Sequence, residues 1–230
     1  MVVGRRNSDL ALDVDGVSVE AGQTLDILGM TFDWRLSTDL YVNKLLAEGR
    51  RRISMLRLLR PRIPPEVFPM VASGIFLGKV MVYAGHYHAV RLNESDVSTE
   101  RSKDVQIMLN DYARLLTGLK RKEHVKVKDL LKQAAVPSLN QLAAREAISQ
   151  VWDGYVNLDS PLARTVADLR PSRSSRSHTM AKLNLPDPAN TLLSSGCKIW
   201  NEHSAQLSKI SKKSELKTYI KKTVWQSIPI

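Results

Sequence analysis

Apolar and polar positions alternate with a period of two at the start of the chain and recur every three or four residues through most of the remainder. Leu10-Ala11-Leu12-Asp13-Val14 and Val17-Ser18-Val19 are short alternating runs on either side of Asp15-Gly16. Asp-Gly supplies the positive φ angles of a two-residue turn, so these residues predict a β-hairpin. A second turn at Ala21-Gly22-Gln23 leads into Thr24-Leu25-Asp26-Ile27-Leu28. Gly29 then breaks the strand, either as a bulge or where another backbone or a ligand comes close. A short strand centred on that glycine, Leu28 to Phe32, is expected to pass straight into a helix.

That helix is predicted over 39–59, with Ser37 or Thr38 as its cap. Val42, Leu45, Leu46, Ile53, Leu56 and Leu59 form one stripe at three- and four-residue spacing. The prolines at 61, 64 and 65 end it. A second helix is expected from Pro65, with Glu66 in its first turn and a kink at Pro69. Apolar on nearly every face from Met70 to Tyr83, it is predicted to be the most buried helix; Gly85-His86-Tyr87-His88 should break it. Further helices are expected over 100–118, with Gly118 as the stop, over 127–135, and over 139–155 with Ser138 as cap. Residues 159–190 are polar, serine-rich and proline-punctuated, and predict an extended linker. A short element at 196–201 and a lysine-rich helix over 211–224 come next, the latter with Leu216, Tyr219, Ile220 and Val224 as a docking stripe. The fold class expected is α+β, mostly α: an N-terminal hairpin and strand, a multi-helix bundle and a basic helical tail. The expected segments are 1–36, 37–158, 159–195 and 196–230.

Charge changes this picture. The 230 residues carry a formal charge of +11, which favours nucleic acid or another polyanion as partner. Residues 1–48 are net −4 and residues 49–230 net +15, so the basic character begins at the first helix. Six arginines and no acid lie between positions 49 and 62. A solvated face usually mixes signs, so this run points to phosphate contact. Arg50 and Arg57 sit a heptad apart beside the apolar stripe, and Arg51 lies roughly opposite it. Arg52 and Arg60 fall within the stripe's arc, where they must snorkel or meet an anion. Lys120-Arg121-Lys122 come directly after the third helix, where cations also favour the negative helix end.

Other chemistry finds little support. One cysteine, Cys197, rules out an internal disulfide and fits a reducing compartment, cytoplasm or nucleus. No apolar segment lies behind Arg5-Arg6 to form a signal peptide. The run at 67–84 is interrupted by Pro69 and Lys79 and falls short of the ~20 clean apolar residues of a membrane span, so no membrane partner is expected. Asp13 and Asp15 flank a turn, and His86 and His88 lack further ligands at metal spacing. No nucleophile–base arrangement supports a hydrolase.

The order of these features resembles the C-terminal part of the reverse transcriptase of LINE-like, non-LTR retrotransposons. Val14-Asp15-Gly16-Val17 is similar to that family's palm hairpin, and Leu28-Gly29-Met30-Thr31-Phe32-Asp33-Trp34-Arg35-Leu36-Ser37 to its primer-grip strand. The arginine helix resembles the start of the thumb, followed by Ile63-Pro64-Pro65 and the step Val82-Tyr83-Ala84-Gly85. Val105-Gln106, Asn110, Ala113-Arg114 and Thr117-Gly118 match a later thumb helix; Lys198-Ile199-Trp200-Asn201 and Leu216-Lys217-Thr218-Tyr219 match the tail. The resemblance covers essentially the whole chain.

The resemblance implies a palm edge over 1–36, a thumb-like domain over 37–158 and a basic extension after a linker. It implies that Gly29 and Met30, with Trp34 beside them, support a primer strand. Arg50, Arg51, Arg57 and Arg60 would lie near template–primer phosphates, and Lys120, Arg121 and Lys122 are added as basic candidates. The partner implied is an RNA–DNA hybrid or single strand, held regardless of sequence, together with upstream palm and fingers domains. The family's RNA-directed DNA polymerase activity needs metal-binding aspartates, including a Tyr-x-Asp-Asp turn that positions Mg ions. This sequence has no Asp-Asp pair, and Met1-Val2-Val3-Gly4 resembles the strand after that turn. The expectation is a fragment without cofactor that holds nucleic acid and does not polymerise. The alternative is a non-enzymatic helical interaction module whose basic tail binds protein or anionic partners.

Overall fold

The computed structural model describes residues 11–20, 24–27, 30–33, 37, 39–88, 90–93, 99–171, 182–187 and 191–230. The chain is α+β and mostly helical, with two small antiparallel hairpins. β1 (Ala11–Val14) pairs with β2 (Val17–Glu20), and Asp15 and Gly16 carry φ values of 54° and 79° in the turn between them. The Gly16 amide donates to Asp13 Oδ1 at 2.8 Å, so the aspartate before the turn serves the turn itself. β3 (Thr24–Ile27) pairs with β4 (Met30–Asp33), placing Ile27 opposite Met30. The expected strand from Leu28 to Phe32 is therefore replaced by a second hairpin, whose connecting residues 28 and 29 lie outside the described residues.

The chain divides into two compact units, Met1–Phe76 and Leu77–Ile230. In the first, α1 (Asp39–Leu59) spans the range its periodicity predicts. Ser37 Oγ accepts from the Asp39 amide at 3.1 Å and caps it; Thr38 lies outside the described residues. Tyr41, Val42, Leu45, Leu46, Ile53 and Leu56 are buried along one stripe. Lys44 on α1 donates to Thr31 Oγ1 at 2.7 Å, and Thr31 donates to Asp26, fastening the second hairpin to the helix. The Thr31 hydroxyl, with Lys44 beside it, holds the Asp26 carboxyl below its usual range. A 3₁₀ turn, Arg60–Arg62, extends α1 and ends at Ile63, which is extended as a residue before proline must be.

α2 (Phe68–Tyr87) departs from expectation in three ways. The Pro64 carbonyl accepts from the Val67 and Phe68 amides, both at 3.0 Å. Pro69 thus falls in the first turn, where its missing N–H is no loss. Second, Gly85 and His86 continue the helix. A Cβ at Gly85 would lie 2.6 Å from Glu146 Cγ, so glycine is there for close approach. Third, among the described side chains the buried ones form a narrow stripe, Phe68, Ala72, Phe76, Val80, Tyr83 and Ala84, which Gly85 continues. Met70 is 71% exposed, and Gly74 and Gly78 open onto free space. By length and composition the window Phe68–Gly85 is apolar enough to cross a membrane, yet 39% of it is buried within the protein. Apolar composition did not translate into burial on all sides.

The second unit is organised by α5 (Leu139–Val156), which is the most enclosed helix: Leu142, Ala143, Ala144, Ala147, Ile148 and Val151 are at most 1% exposed. It packs on α6 (Ala163–Asp168), α7 (Leu192–Leu207) and α3 (Glu100–Thr117). α3 in turn packs on α4 (Val127–Ala134). The caps read from sequence are present: Gly118 ends α3 with φ 81°, and Ser138 forms a capping box with Gln141 at the start of α5. The expected short element at 196–201 is instead the interior of the 16-residue α7, which Thr191 caps. Within the expected linker, Val166 on α6 is fully buried, and the Asn201 amide holds both the N–H and C=O of Leu183 at 2.7 and 2.8 Å. Residues 172–181 and 188–190 lie outside the described residues. α8 (Lys213–Tyr219) runs on through a π-type turn, Ile220–Val224, to Trp225–Ser227, with Leu216, Ile220 and Val224 fully buried.

Two glycines test this packing in opposite directions. A Cβ at Gly196 would lie 2.5 Å from the Ala147 carbonyl oxygen and 2.8 Å from Val151 Cγ2. Gly196→Ala is expected to cost about 1–3 kcal/mol, because backbone cannot yield as a side chain would. Gly78→Ala, in open space mid-helix, is expected to gain about 0.5–1 kcal/mol. Urea unfolding midpoints of the two variants should move in opposite senses.

Candidate nucleic-acid interface

Helical geometry at ~100° per residue puts Arg50 and Arg57 on one edge of α1 and Arg51 opposite its buried stripe. All three are exposed, as are Arg60 and Arg62 in the turn at its end. Among the described residues no acidic side chain pairs with any of these five. Guanidinium groups held this way present their donor forks to solvent, the form in which they meet phosphate oxygens bidentately. A groove of about 380 Å³ lies beside them, lined by Arg51, Arg52, Met55 and Ile75.

Arg52 behaves differently, as its place in the apolar arc requires. It is bonded to Glu48 one turn earlier, Nε at 3.0 Å from Oε1, and its Nη1 donates to the Ile75 carbonyl. The nearest acid to the arginine run thus neutralises the one arginine that is half-buried, leaving the outward ones uncompensated. Arg60, expected within the same arc, escapes it because the backbone has tightened into the 3₁₀ turn.

The remaining candidates are distributed elsewhere. Met30 begins β4 opposite Ile27 and is half-buried; Gly29 and Trp34 lie outside the described residues. Lys120, Arg121 and Lys122 belong to the second unit, in the connection between α3 and α4. All three are exposed. Arg121 is held by Asp111 through bonds of 3.1 and 2.5 Å, which also raises its pKa. The Lys120 backbone is tied at both ends, its N–H to Glu123 Oε1 at 2.9 Å and its carbonyl to Arg114 at 3.0 Å. This connection is a folded turn in which, among the described residues, no acid pairs with the side chains of Lys120 and Lys122.

Sequence reasoning missed one polar cluster. Ser102 Oγ is 2.9 Å from His88 Nδ1, 3.3 Å from Tyr83 Oη and 2.9 Å from Thr99 Oγ1. A serine next to an imidazole suggests a nucleophile and base. Here both are buried, at 3% and 6% exposure, and the hydroxyl also meets the capping threonine of α3. The cluster ties α2 to α3, and a tertiary pairing between residues 88 and 102 leaves no motif to read. Cys197 is likewise buried, and burial pushes its thiol up to about 11. Among the described residues no three His, Cys, Asp or Glu side chains gather as a metal-holding group. No protein-family model, curated protein or solved structure matches this chain.

Burial pushes the His88 imidazole down to about 4, against a smaller upward pull from Asn140 and with the Arg91 charge adding to the drop. The unfolded chain therefore binds a proton that the folded one refuses as pH falls from about 6.5. Stability should be complete above that pH and fall by about 3 kcal/mol on the way to pH 4. Urea unfolding across this range should show that loss in the native chain and a smaller one in His88→Gln. Equal losses would assign the acid sensitivity to another group.

Proposed function

We propose that this chain holds nucleic acid without regard to sequence, as the palm-edge and thumb part of an RNA-directed DNA polymerase of the non-LTR retrotransposon type, and that it does not itself polymerise. The observation that carries the reading is the unpaired arginine face of α1 and its 3₁₀ extension. Arg50, Arg51, Arg57 and Arg60 stand in solvent without an acid among the described residues, while Arg52 is drawn inward by Glu48. Four guanidinium groups over three helical turns suit a phosphate backbone better than a single small anion.

Within this reading, the hairpin carrying Met30 is fixed to the arginine helix by Lys44, Thr31 and Asp26. A primer strand on the hairpin and phosphates on the helix would then be kept in register by one hydrogen-bonded joint. The competing reading, a helical interaction module, draws on the exposed apolar residues Met70 and Val82 and the open glycines of α2.

Binding of a labelled RNA–DNA hybrid, measured by fluorescence anisotropy, tests the proposal. Four phosphate contacts predict a fall in affinity on the order of 10²-fold between about 50 and 200 mM salt. Replacing Arg50, Arg57 and Arg60 together by glutamine should lower the slope of log K against log salt by roughly 2 to 3 and leave the unfolding midpoint in place. Salt-independent binding, or full affinity in the triple variant, would favour the interaction module.

A further inference from the structure

The groove between α1 and α2 is not lined by charge alone. Arg51, Arg52, Met55 and Ile75 line it, all within the first unit. Its volume of about 380 Å³ falls among the ~300–1,000 Å³ clefts that take small molecules. Arg52 is held in its plane there: Nε and Nη2 donate to Glu48 Oε1, and Nη1 donates to the Ile75 carbonyl. With each of its three nitrogens engaged, what it can offer a further ligand is the flat face of the guanidinium. Met55, 42% exposed, and the half-buried Ile75 add apolar surface. Arg51 is exposed and meets no acid among the described residues, and it lies one helical turn, ~6 Å, along α1 from Met55. Around the axis, ~100° per residue puts Met55 and Arg52 to one side of Arg51 and Arg50 and Arg57 to the other. Arg51 therefore stands between the groove and the outer arginine edge.

We infer that this groove takes one unpaired nucleotide, its base against Met55, Ile75 and the guanidinium face of Arg52 and its phosphate on Arg51. The inference rests on the proposed function and adds to it a preference for an unpaired nucleotide, at a strand end or free in solution, over a fully paired duplex. Bases in a duplex have their faces covered by their neighbours, whereas an unstacked base seeks aromatic, apolar or guanidinium surface. A phosphate backbone alone would use Arg51 and leave the apolar floor unmatched. Glu48 does not oppose the phosphate as a free carboxylate would, since Arg52 neutralises it. Met55 belongs to the groove and not to the Arg50 and Arg57 edge, so changes at Met55 test this site while every arginine of the proposed interface stays in place.

The full chain and two variants, Met55→Ser and Met55→Phe, decide it. Anisotropy compares a labelled blunt RNA–DNA hybrid with the same hybrid carrying unpaired nucleotides at one end. The native chain should hold the overhanging hybrid about 10-fold tighter, the worth of one stacked base. Met55→Ser should remove most of that difference and leave blunt-hybrid affinity in place, while Met55→Phe, which keeps an apolar surface, should retain it. AMP added as competitor separates the two sources of the nucleotide. If AMP abolishes the overhang's advantage without displacing the blunt hybrid, the groove accepts a free mononucleotide; an advantage that persists under AMP assigns the groove to strand ends. Equal affinity of the native chain for the two hybrids overturns the inference and leaves the arginine-face reading standing. Equal losses on both hybrids in Met55→Ser, or an overhang advantage unchanged by it, overturn the assignment of the base to this groove. Binding to neither hybrid removes the proposed function and this inference together.

Discussion

The second unit depends on the first turn of α5. Ser138 and Gln141 cap each other there, and the Leu139 amide donates to Gln106 Oε1 of α3 at 2.8 Å. Asn140, 1% exposed, accepts from the Arg91 amide and donates to the carbonyls of Arg91 and Pro229, all within 2.9 Å. The Gln141 amide group donates to the Trp225 carbonyl at 3.0 Å, and the Trp225 indole returns a bond to the Gln141 carbonyl. A helix N-terminus leaves its first amides without intrahelical partners. Here Ser138 serves the Gln141 and Leu142 amides locally, while the Leu139 amide and the Asn140 and Gln141 side chains are met by segments far apart in sequence. Each is buried or half-buried, so leaving one unmade carries a desolvation cost of about 1–3 kcal/mol. The turn thereby fixes where α3, the 90–93 segment and the C-terminal helix must lie.

Local chemistry was legible in the sequence wherever neighbouring residues decide the outcome. Asp15-Gly16 specifies its turn through backbone conformation, with Asp13 bonded into it, Ser138 caps α5 as its position predicts, and α1 keeps to its apolar period. What escaped was set by distant partners. The apolar run on α2 predicts burial, but enclosure depends on how many neighbours a helix receives, and this one meets them on a single stripe. The glycine in α7 looks like the edge of a short element until Ala147 and Val151 of α5 are seen against it; then it is a contact point inside a long helix. A cationic run such as Arg50 to Arg62 shows charge, while the pairing of Arg52 with Glu48 and Ile75 shows which charge is already spent.

The same distinction governs the surfaces. Among the described residues, basic side chains include those whose charge is paired within the fold, as Lys44, Arg52 and Arg121 are, and those held out in water without an acid partner. Arg52 finds its acid one helical turn away in Glu48, Arg121 ten residues away in Asp111, and Lys44 eighteen residues away in Asp26. The second kind, among the described residues, includes the α1 face, Lys120 and Lys122 in the connection after α3, and the lysines of the α8 helix. Net charge alone would not have separated them, since a paired and an unpaired arginine count equally in it.

Asn140 and Gln141 reach the backbone of Trp225 and Pro229, more than eighty residues further along the chain. During synthesis α5 emerges long before those partners do. Until residue 229 has cleared the ribosome, the polar side chains at its first turn must be served by water, and the turn cannot close in its native form. The bonds from Asn140 and Gln141 to the C-terminal backbone therefore form only after residues 225 to 229 are available. α5 and α7 can pack on each other before that, so it is the polar first turn of α5 that stays open to water longest.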